Sequence, residues 1–143
     1  MKIMILTIGQ PKISFAKEGF TEYIKRLSGF HKVEVVHLSD KTTDDKLLQV
    51  IDNRFCIVLD EHGAEYTSRG LAQFLDERSV GGVGEMVFVV GGPDGHSERI
   101  KKRADVLWSM SMLTFPHDLA MVVLAEALYR ASTINAGHPY HRE

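Results

Sequence analysis

Val87-Phe88-Val89-Val90-Gly91-Gly92-Pro93-Asp94-Gly95-His96 is an apolar run that stops abruptly at paired glycines. A continuous hydrophobic run bounded by Gly and Pro reads as a strand buried on both faces, the pattern of a parallel sheet rather than of a half-exposed one. A charged helical turn follows, and then a second apolar segment, Val106-Leu107-Trp108, opens into Ser109-Met110-Ser111-Met112-Leu113-Thr114-Phe115-Pro116-His117. Two strand-end loops so near in sequence predict a shared ligand pocket, because open α/β sheets bind ligands at the carboxyl ends of their strands.

Working outward, the same signature recurs. Residues 2–8, 33–38 and 55–59 are short apolar runs, and the first stops at Gly9-Gln10-Pro11. Between them lie helical spacings: Ala16, Phe20, Tyr23, Ile24 and Leu27, then Leu47, Leu48 and Ile51, then Leu71, Phe74 and Leu75 behind a cap at Thr67 or Ser68. Ser97 caps a short basic helix through Arg103, and the longest helix covers about residues 118–135. Strands at 2–8, 33–38, 55–59, 86–90 and 106–108, alternating with helices, predict an α/β fold: a parallel sheet with helices on both faces. No repeat, linker or low-complexity tract interrupts the 143 residues, so one domain is expected. Leu119, Val122, Val123, Glu126, Tyr129 and Ile134 give the last helix more than one apolar face, which fits packing against a second subunit as well as burial in its own core.

Composition excludes several classes. A hydrophobic content of 44% with 25% charged residues is that of a globular chain, and no apolar run approaches a membrane span. The apolar N-terminus lacks a small-residue cleavage site and reads as a first strand, so no membrane partner is expected. The single cysteine, Cys56, lies among Phe55, Ile57, Val58 and Leu59; it cannot form an internal disulfide and reads as an inert core residue in a reducing, cytoplasmic setting. A net charge of −2 offers no global basic footprint, so a nucleic-acid partner would need a local patch. Candidates for such a patch are Arg99, Lys101, Lys102 and Arg103, with Lys25 and Arg26, each equally readable as a solvated helix face.

The glycine turn is neither a dinucleotide fingerprint nor a triphosphate loop: its spacing is Gly-Gly-x-x-Gly after a late strand, with no following Gly-Lys-Ser/Thr. No Gly-x-Ser-x-Gly elbow points to a hydrolase. His138 and His141 are three apart, but Pro139 breaks helical presentation and no Cys or carboxylate cluster completes a ligand set; no metal is expected. The chain end, His138-Pro139-Tyr140-His141-Arg142-Glu143, concentrates imidazole, phenol and guanidinium where termini are usually undemanding. It reads either as a solvated polar end or as a set of donors for an anionic substrate, with Arg130 shortly before it on the helix.

Taken together, Val90-Gly91-Gly92-Pro93-Asp94-Gly95, Leu113-Thr114-Phe115-Pro116-His117, Leu124-Ala125-Glu126-Ala127-Leu128-Tyr129-Arg130-Ala131 and the terminal hexapeptide resemble the RlmH family of SPOUT-class ribosomal RNA methyltransferases, and Gly19-Phe20-Thr21-Glu22-Tyr23 is compatible with it. The resemblance covers essentially the whole chain. It implies a SPOUT-type α/β fold with a C-terminal trefoil knot, a homodimer, S-adenosyl-L-methionine as methyl donor, and N3-methylation of a pseudouridine in a 23S rRNA stem-loop on the assembled ribosome. By motif it places Leu59, Gly91, Met110, Ser111, Met112, Leu113, Thr114 and Phe115 at the cofactor, and His117, Arg130, Tyr140, His141 and Arg142 on the substrate side; His138 joins them by its place in the tail. Removing the N3 imide proton needs a base or a cation that stabilises the anion. Arg142 or Arg130 is expected to supply charge, and His138, His141 or Tyr140 to orient or deprotonate the base. Two rival readings are a non-catalytic ribosome- or RNA-binding factor, which would not need the glycine turn, and a flavodoxin-like enzyme, for which Gly9-Gln10-Pro11 lacks a Ser/Thr phosphate loop.

Overall fold

The computed structural model describes residues 1–142; Glu143, the last residue of the terminal motif, lies outside the described residues. Five strands, β1 (Lys2–Ile8), β2 (Lys32–Leu38), β3 (Phe55–Glu65), β4 (Glu85–Val90) and β5 (Val106–Ser109), alternate with five helices, α1 (Ser14–Leu27), α2 (Asp44–Ile51), α3 (Ser68–Val80), α4 (Glu98–Arg103) and α5 (His117–Asn135). The strands form one sheet in the order β2-β1-β4-β3-β5, every pairing parallel. The expected α/β architecture is therefore the observed one.

Period-two alternation divides each central strand between two cores. Ile3 and Ile5 of β1, Ile57 of β3 and Met86, Phe88 and Val90 of β4 face α1, α3 and α5, where Phe20, Leu27, Leu71, Leu75, Met121, Leu124 and Leu128 cover them. Met4, Leu6, Cys56, Val58, Val87 and Val89 face the other way, onto Leu47 and Ile51 of α2 and Ile100 of α4. A strand buried on both sides needs both residue parities apolar, which is why β1 and β4 read as unbroken hydrophobic runs. α5 lies between α1 and α3, and its Leu119, Val122, Val123 and Glu126 stay half-buried.

Three local details shape the elements around the strand ends. α2 starts at Asp44, where the Thr43 side chain accepts from the Lys46 amide at 3.2 Å and caps the helix. β3 does not end at Leu59: Leu59 and Ala64 both pair with Trp108, so residues 60–63 bulge outward before the strand resumes. Gly63 makes this possible. A Cβ there would lie 2.5 Å from the Leu107 carbonyl carbon and oxygen and 2.6 Å from the Trp108 nitrogen, so only glycine lets the bulge rest on β5. Finally, Ile13 at the start of α1 offers no side-chain cap. Asp118, in the first turn of α5, supplies one instead, its carboxylate accepting from the Lys12 and Ile13 amides at 2.7 and 2.8 Å.

Candidate active site

The carboxyl ends of β4, β3 and β5 are neighbours, and the loops leaving them enclose a cleft of about 440 Å³. Leu59 and Asp60 come from β3, Gly91 to His96 from the turn after β4, and Met110, Ser111, Leu113, Thr114 and Phe115 from the loop after β5. His117 and Ala120 close it from α5, and Trp108 from β5. The structure thus gathers Leu59, Gly91, Met110, Ser111, Leu113, Thr114, Phe115 and His117 from four elements into one cleft. Met112, the remaining residue of the expected cofactor set, is 85% exposed and does not line it.

The glycine turn is built by its backbone. Gly95 takes φ +71°, and its amide donates to the Gly92 carbonyl at 3.0 Å. A side chain at Gly91 would crowd the turn: a Cβ would meet the His96 ring at 3.0 Å. The loop after β5 is ordered by hydroxyls, the Ser109 Oγ donating to the Ser111 carbonyl at 2.9 Å and the Ser111 Oγ accepting from the Leu113 amide at 3.0 Å. Residues 110–115 belong to neither helix nor ladder, so their peptide groups are not consumed by regular structure.

His117 joins the two halves. Its Nδ1 lies 2.9 Å from the Gly91 carbonyl oxygen. A carbonyl only accepts, so Nδ1 carries the proton and Nε2 keeps a lone pair in the neutral ring. That Nε2 is buried without a partner among the described residues and sits 3.4 Å from where a Gly9 Cβ would be. His96 Nε2 and Trp108 Nε1 are likewise buried and unpaired. Buried polar groups are normally satisfied, and here three orphaned nitrogens belong to residues lining a single cleft. Burial lowers the His96 pKa, against the raising influence of Asp60, so that ring is neutral at ordinary pH.

Beside the cleft, at the ends of β1 and β2, is a second histidine that the sequence reading passed over. The Thr7 hydroxyl donates to the Gly9 carbonyl at 2.6 Å, and its oxygen lies 2.6 Å from His37 Nδ1. Burial first, and His117 nearby, lower the His37 pKa. A histidine at the carboxyl end of a parallel strand is the signal that could have found it. His96, in the turn after β4, and Asp60, directly after Leu59 in β3, carry the same signal.

The tail residues lie elsewhere. α5 ends in a Schellman motif, with Gly137 at φ +70°, its amide donating to Ile134 and the His138 amide to Thr133. The chain then folds back so that the Tyr140 hydroxyl donates to Glu126 at 2.9 Å, and its ring packs edge-on against Tyr129 at 4.6 Å between centroids. Arg130 binds Glu126 at 2.7 Å. None of Arg130, His138, Tyr140, His141 or Arg142 lines the cleft. Arg130 is thirteen residues beyond His117, about 20 Å along a helix at 1.5 Å per residue. Tyr140 is no base in this setting: burial, then hydrogen bonding with Tyr23 and Glu126, raise its pKa well above the phenol range.

The basic candidates also separate. Arg103 clasps the Asp52 and Arg54 carbonyls at 2.9 and 2.8 Å and Asp105 at 3.4 Å, so it is a structural tie rather than a phosphate contact. Arg99 pairs with Asp45, Arg26 with Glu22, and Lys101 with Asp60 at the cleft wall. Lys25 and Lys102 are exposed. Cys56 is fully buried with its thiol pushed up to about 11 by burial, in keeping with an inert core role. Among the described residues no helix is long and apolar enough to cross a membrane, and no group of three metal-ligating side chains converges.

Comparison with known proteins agrees with the geometry. The family model described as "Predicted SPOUT methyltransferase" matches residues 1–141. A protein of Deinococcus radiodurans named ribosomal RNA large subunit methyltransferase H is 46% identical over 145 residues, covering 99% of each chain. Its namesake in Streptococcus gordonii is 39% identical over 159 residues, covering 99% of this chain and all of its own. Among solved structures, a probable methylase family protein from Haemophilus influenzae has a TM-score of 0.60 at 9% identity, covering 99% of this chain and 70% of its own, a likeness of fold alone. A whole-length family match, relatives of this identity and a strand-end cleft of this construction together place the chain in the SPOUT methyltransferase family, as a methyltransferase.

Proposed function

We propose that this chain, as one domain over residues 1–143, methylates N3 of a pseudouridine in 23S rRNA on the assembled ribosome, using S-adenosyl-L-methionine, in the cytoplasm and as a homodimer. The observation that carries the reading is the cleft: a bare Gly91 Cα and three orphaned nitrogens of His96, Trp108 and His117 at the convergence of three strand ends. Peptide groups of residues 110–115 fit the polar edges of an adenine, and Leu59, Met110, Leu113 and Phe115 its faces. When bound, S-adenosyl-L-methionine would supply an electrophilic methyl group on a sulfonium. The family resemblance adds a C-terminal trefoil knot, and a strand order that carries the chain from β4 past β3 to β5 is compatible with it.

For the residues themselves the demand is orientation and a proton acceptor. The N3–H proton must leave as the N3–methyl bond forms. With Nδ1 held by the Gly91 carbonyl, His117 presents Nε2 as one acceptor on the cofactor side. His138 and His141 are acceptors of the tail, with Arg130 and Arg142 stabilising negative charge on the base and Tyr140 holding the tail. Within one chain these tail groups stand apart from the cleft. A partner subunit's tail reaching the cleft would reunite them. Exposed Ile13 and Phe15, tied beside the first turn of α5 through Asp118, support such a partner.

The test is methyl transfer to ribosomes from cells lacking this gene, with mass mapping of 23S rRNA. Wild-type protein is expected to add one methyl to a pseudouridine; deletion of residues 138–143 is expected to abolish transfer and leave the sedimenting mass unchanged. Full transfer by the truncated dimer would overturn the assignment of the tail. Absence of measurable S-adenosyl-L-methionine binding by calorimetry would favour a non-catalytic ribosome-binding factor.

A further inference from the structure

Glu126 and Arg130 stand one turn apart on α5, and the tail brings Tyr140 back to the same place. The Glu126 carboxylate accepts from Arg130 Nη2 at 2.7 Å, from Arg130 Nε at 3.2 Å and from the Tyr140 hydroxyl at 2.9 Å. The Arg130 guanidinium carbon lies 5.0 Å from the centre of the Tyr140 ring, which in turn packs on Tyr129. A Glu–Arg pair four residues apart is ordinarily a modest decoration of a helix surface. This one differs in two respects. Its carboxylate is largely buried, with 24% of the side chain exposed. It also takes a third donor, from a residue fourteen positions on, which arrives only because Gly137 reverses the chain. Charge-assisted hydrogen bonds of this kind hold a group in place far better than the torsions of a free terminus.

We propose that Glu126 is a positioning residue of the methyl-transfer site, its carboxylate clamping the Tyr140 hydroxyl and the Arg130 guanidinium together so that the C-terminal histidine and arginine meet the RNA base in one preset arrangement. The role rests on the proposed function of the tail, and it belongs to a residue that contacts neither the cleft nor, by itself, the substrate. Tyr140 serves as the hinge pin, its hydroxyl donating a hydrogen bond to Glu126 while remaining protonated. His141 and Arg142, its neighbours in sequence, inherit their placement from it.

Steady-state methylation of ribosomes by wild-type protein, Glu126→Gln, Glu126→Ala, Tyr140→Phe and the Glu126→Gln/Tyr140→Phe double variant tests the clamp. Glu126→Gln is expected to lower kcat about tenfold with KM for ribosomes changed less than about twofold, the pattern of a geometry lost in the transition state rather than of a binding contact removed. Glu126→Ala should lose more, since Gln still offers Tyr140 an acceptor. The double variant should be no worse than its worse single, because each change breaks the same clamp. Hydrogen exchange in the peptide covering residues 136–142 should rise in Glu126→Ala while α5 stays protected. Wild-type kcat in Glu126→Ala, additive losses in the double variant, or a raised KM at unchanged kcat would each overturn the proposal. Should Glu126→Ala fail to fold, Tyr140→Phe decides alone: unchanged tail exchange and unchanged kcat refute the clamp. An inactive wild-type protein, or full activity after deletion of residues 138–143, would instead refute the proposed function itself.

Discussion

At the scale of single residues, the cleft depends on what is missing from Gly91 as much as on what His117 supplies. The Gly91 carbonyl fixes the tautomer of His117, and its bare Cα leaves room for the His96 ring. Gly91→Ala puts a methyl 3.0 Å from that ring, tighter than most carbon contacts, so the neighbour must give by a few tenths of an ångström. Either the imidazole swings into the cleft or the turn opens. The substitution is expected to cost about 1–2 kcal/mol of stability and to weaken S-adenosyl-L-methionine binding about tenfold or more, read by urea unfolding and by calorimetry. Unaltered affinity would mean that the donor does not sit against Gly91. Gly91 was legible in the sequence because paired glycines that stop a buried strand mark a carboxyl-end turn, where parallel sheets bind ligands, and because the family motif falls on it. The role of His96 was not, since a histidine in a turn gives no sign of which way its ring faces.

At the scale of elements, three of the helix starts carry their own caps, Thr43, Thr67 and Ser97. α1 borrows its cap from Asp118, which also ties the loop after β1 to the start of α5 beside the cleft. Burial pushes the Asp118 carboxyl up, but the Ile13 and Lys12 amides and the nearby His117 and Lys12 outweigh it, leaving its pKa below the usual aspartate range. A pKa lowered by folding contributes stability that is full above the unfolded value, about 3.9, and is lost as pH falls through the lower folded value. Asp118→Ala is therefore expected to destabilise the protein by about 1 kcal/mol near neutrality and by less below pH about 3. Urea midpoints at the two pH values check this, and an equal deficit at both would show that the carboxylate charge is not what caps α1. No local pattern reveals such a cap, because the donor and acceptor are 105 and 106 residues apart.

At the scale of the whole molecule, the sheet order sets what can meet. β4 lies between β1 and β3, so its glycine turn has the loops of both neighbours within reach, and β5 is carried to the edge beyond β3. Gly63 seals that edge against the backbone of Leu107 and Trp108. Gly63→Ala presses a methyl into main chain that cannot rotate away, and a loss of about 3 kcal/mol is expected, with reduced donor affinity because β5 leads directly into residues 110–115. A wild-type unfolding midpoint for this variant would show that the bulge of β3 can lift off without cost.

What the sequence by itself determined is local and periodic. Both-parity apolar strands, helical spacings and turn residues specify which segments become strands and helices, and hence a parallel sheet covered on both faces, because burial acts on every residue of a segment alike. Chain-long motif resemblance pointed to the methyltransferase family, and the whole-length family match bears that out. Only the tertiary structure decided the strand order, the bulge on Gly63, the borrowed cap from Asp118 and the partition of the site residues. His117 lies in the cleft, while Arg130 and the tail fold onto Glu126 at the middle of α5. These features are contacts between segments far apart in the chain, chosen by the closing of a compact core, and side-chain identity along one segment carries no record of which distant backbone will come to rest against it.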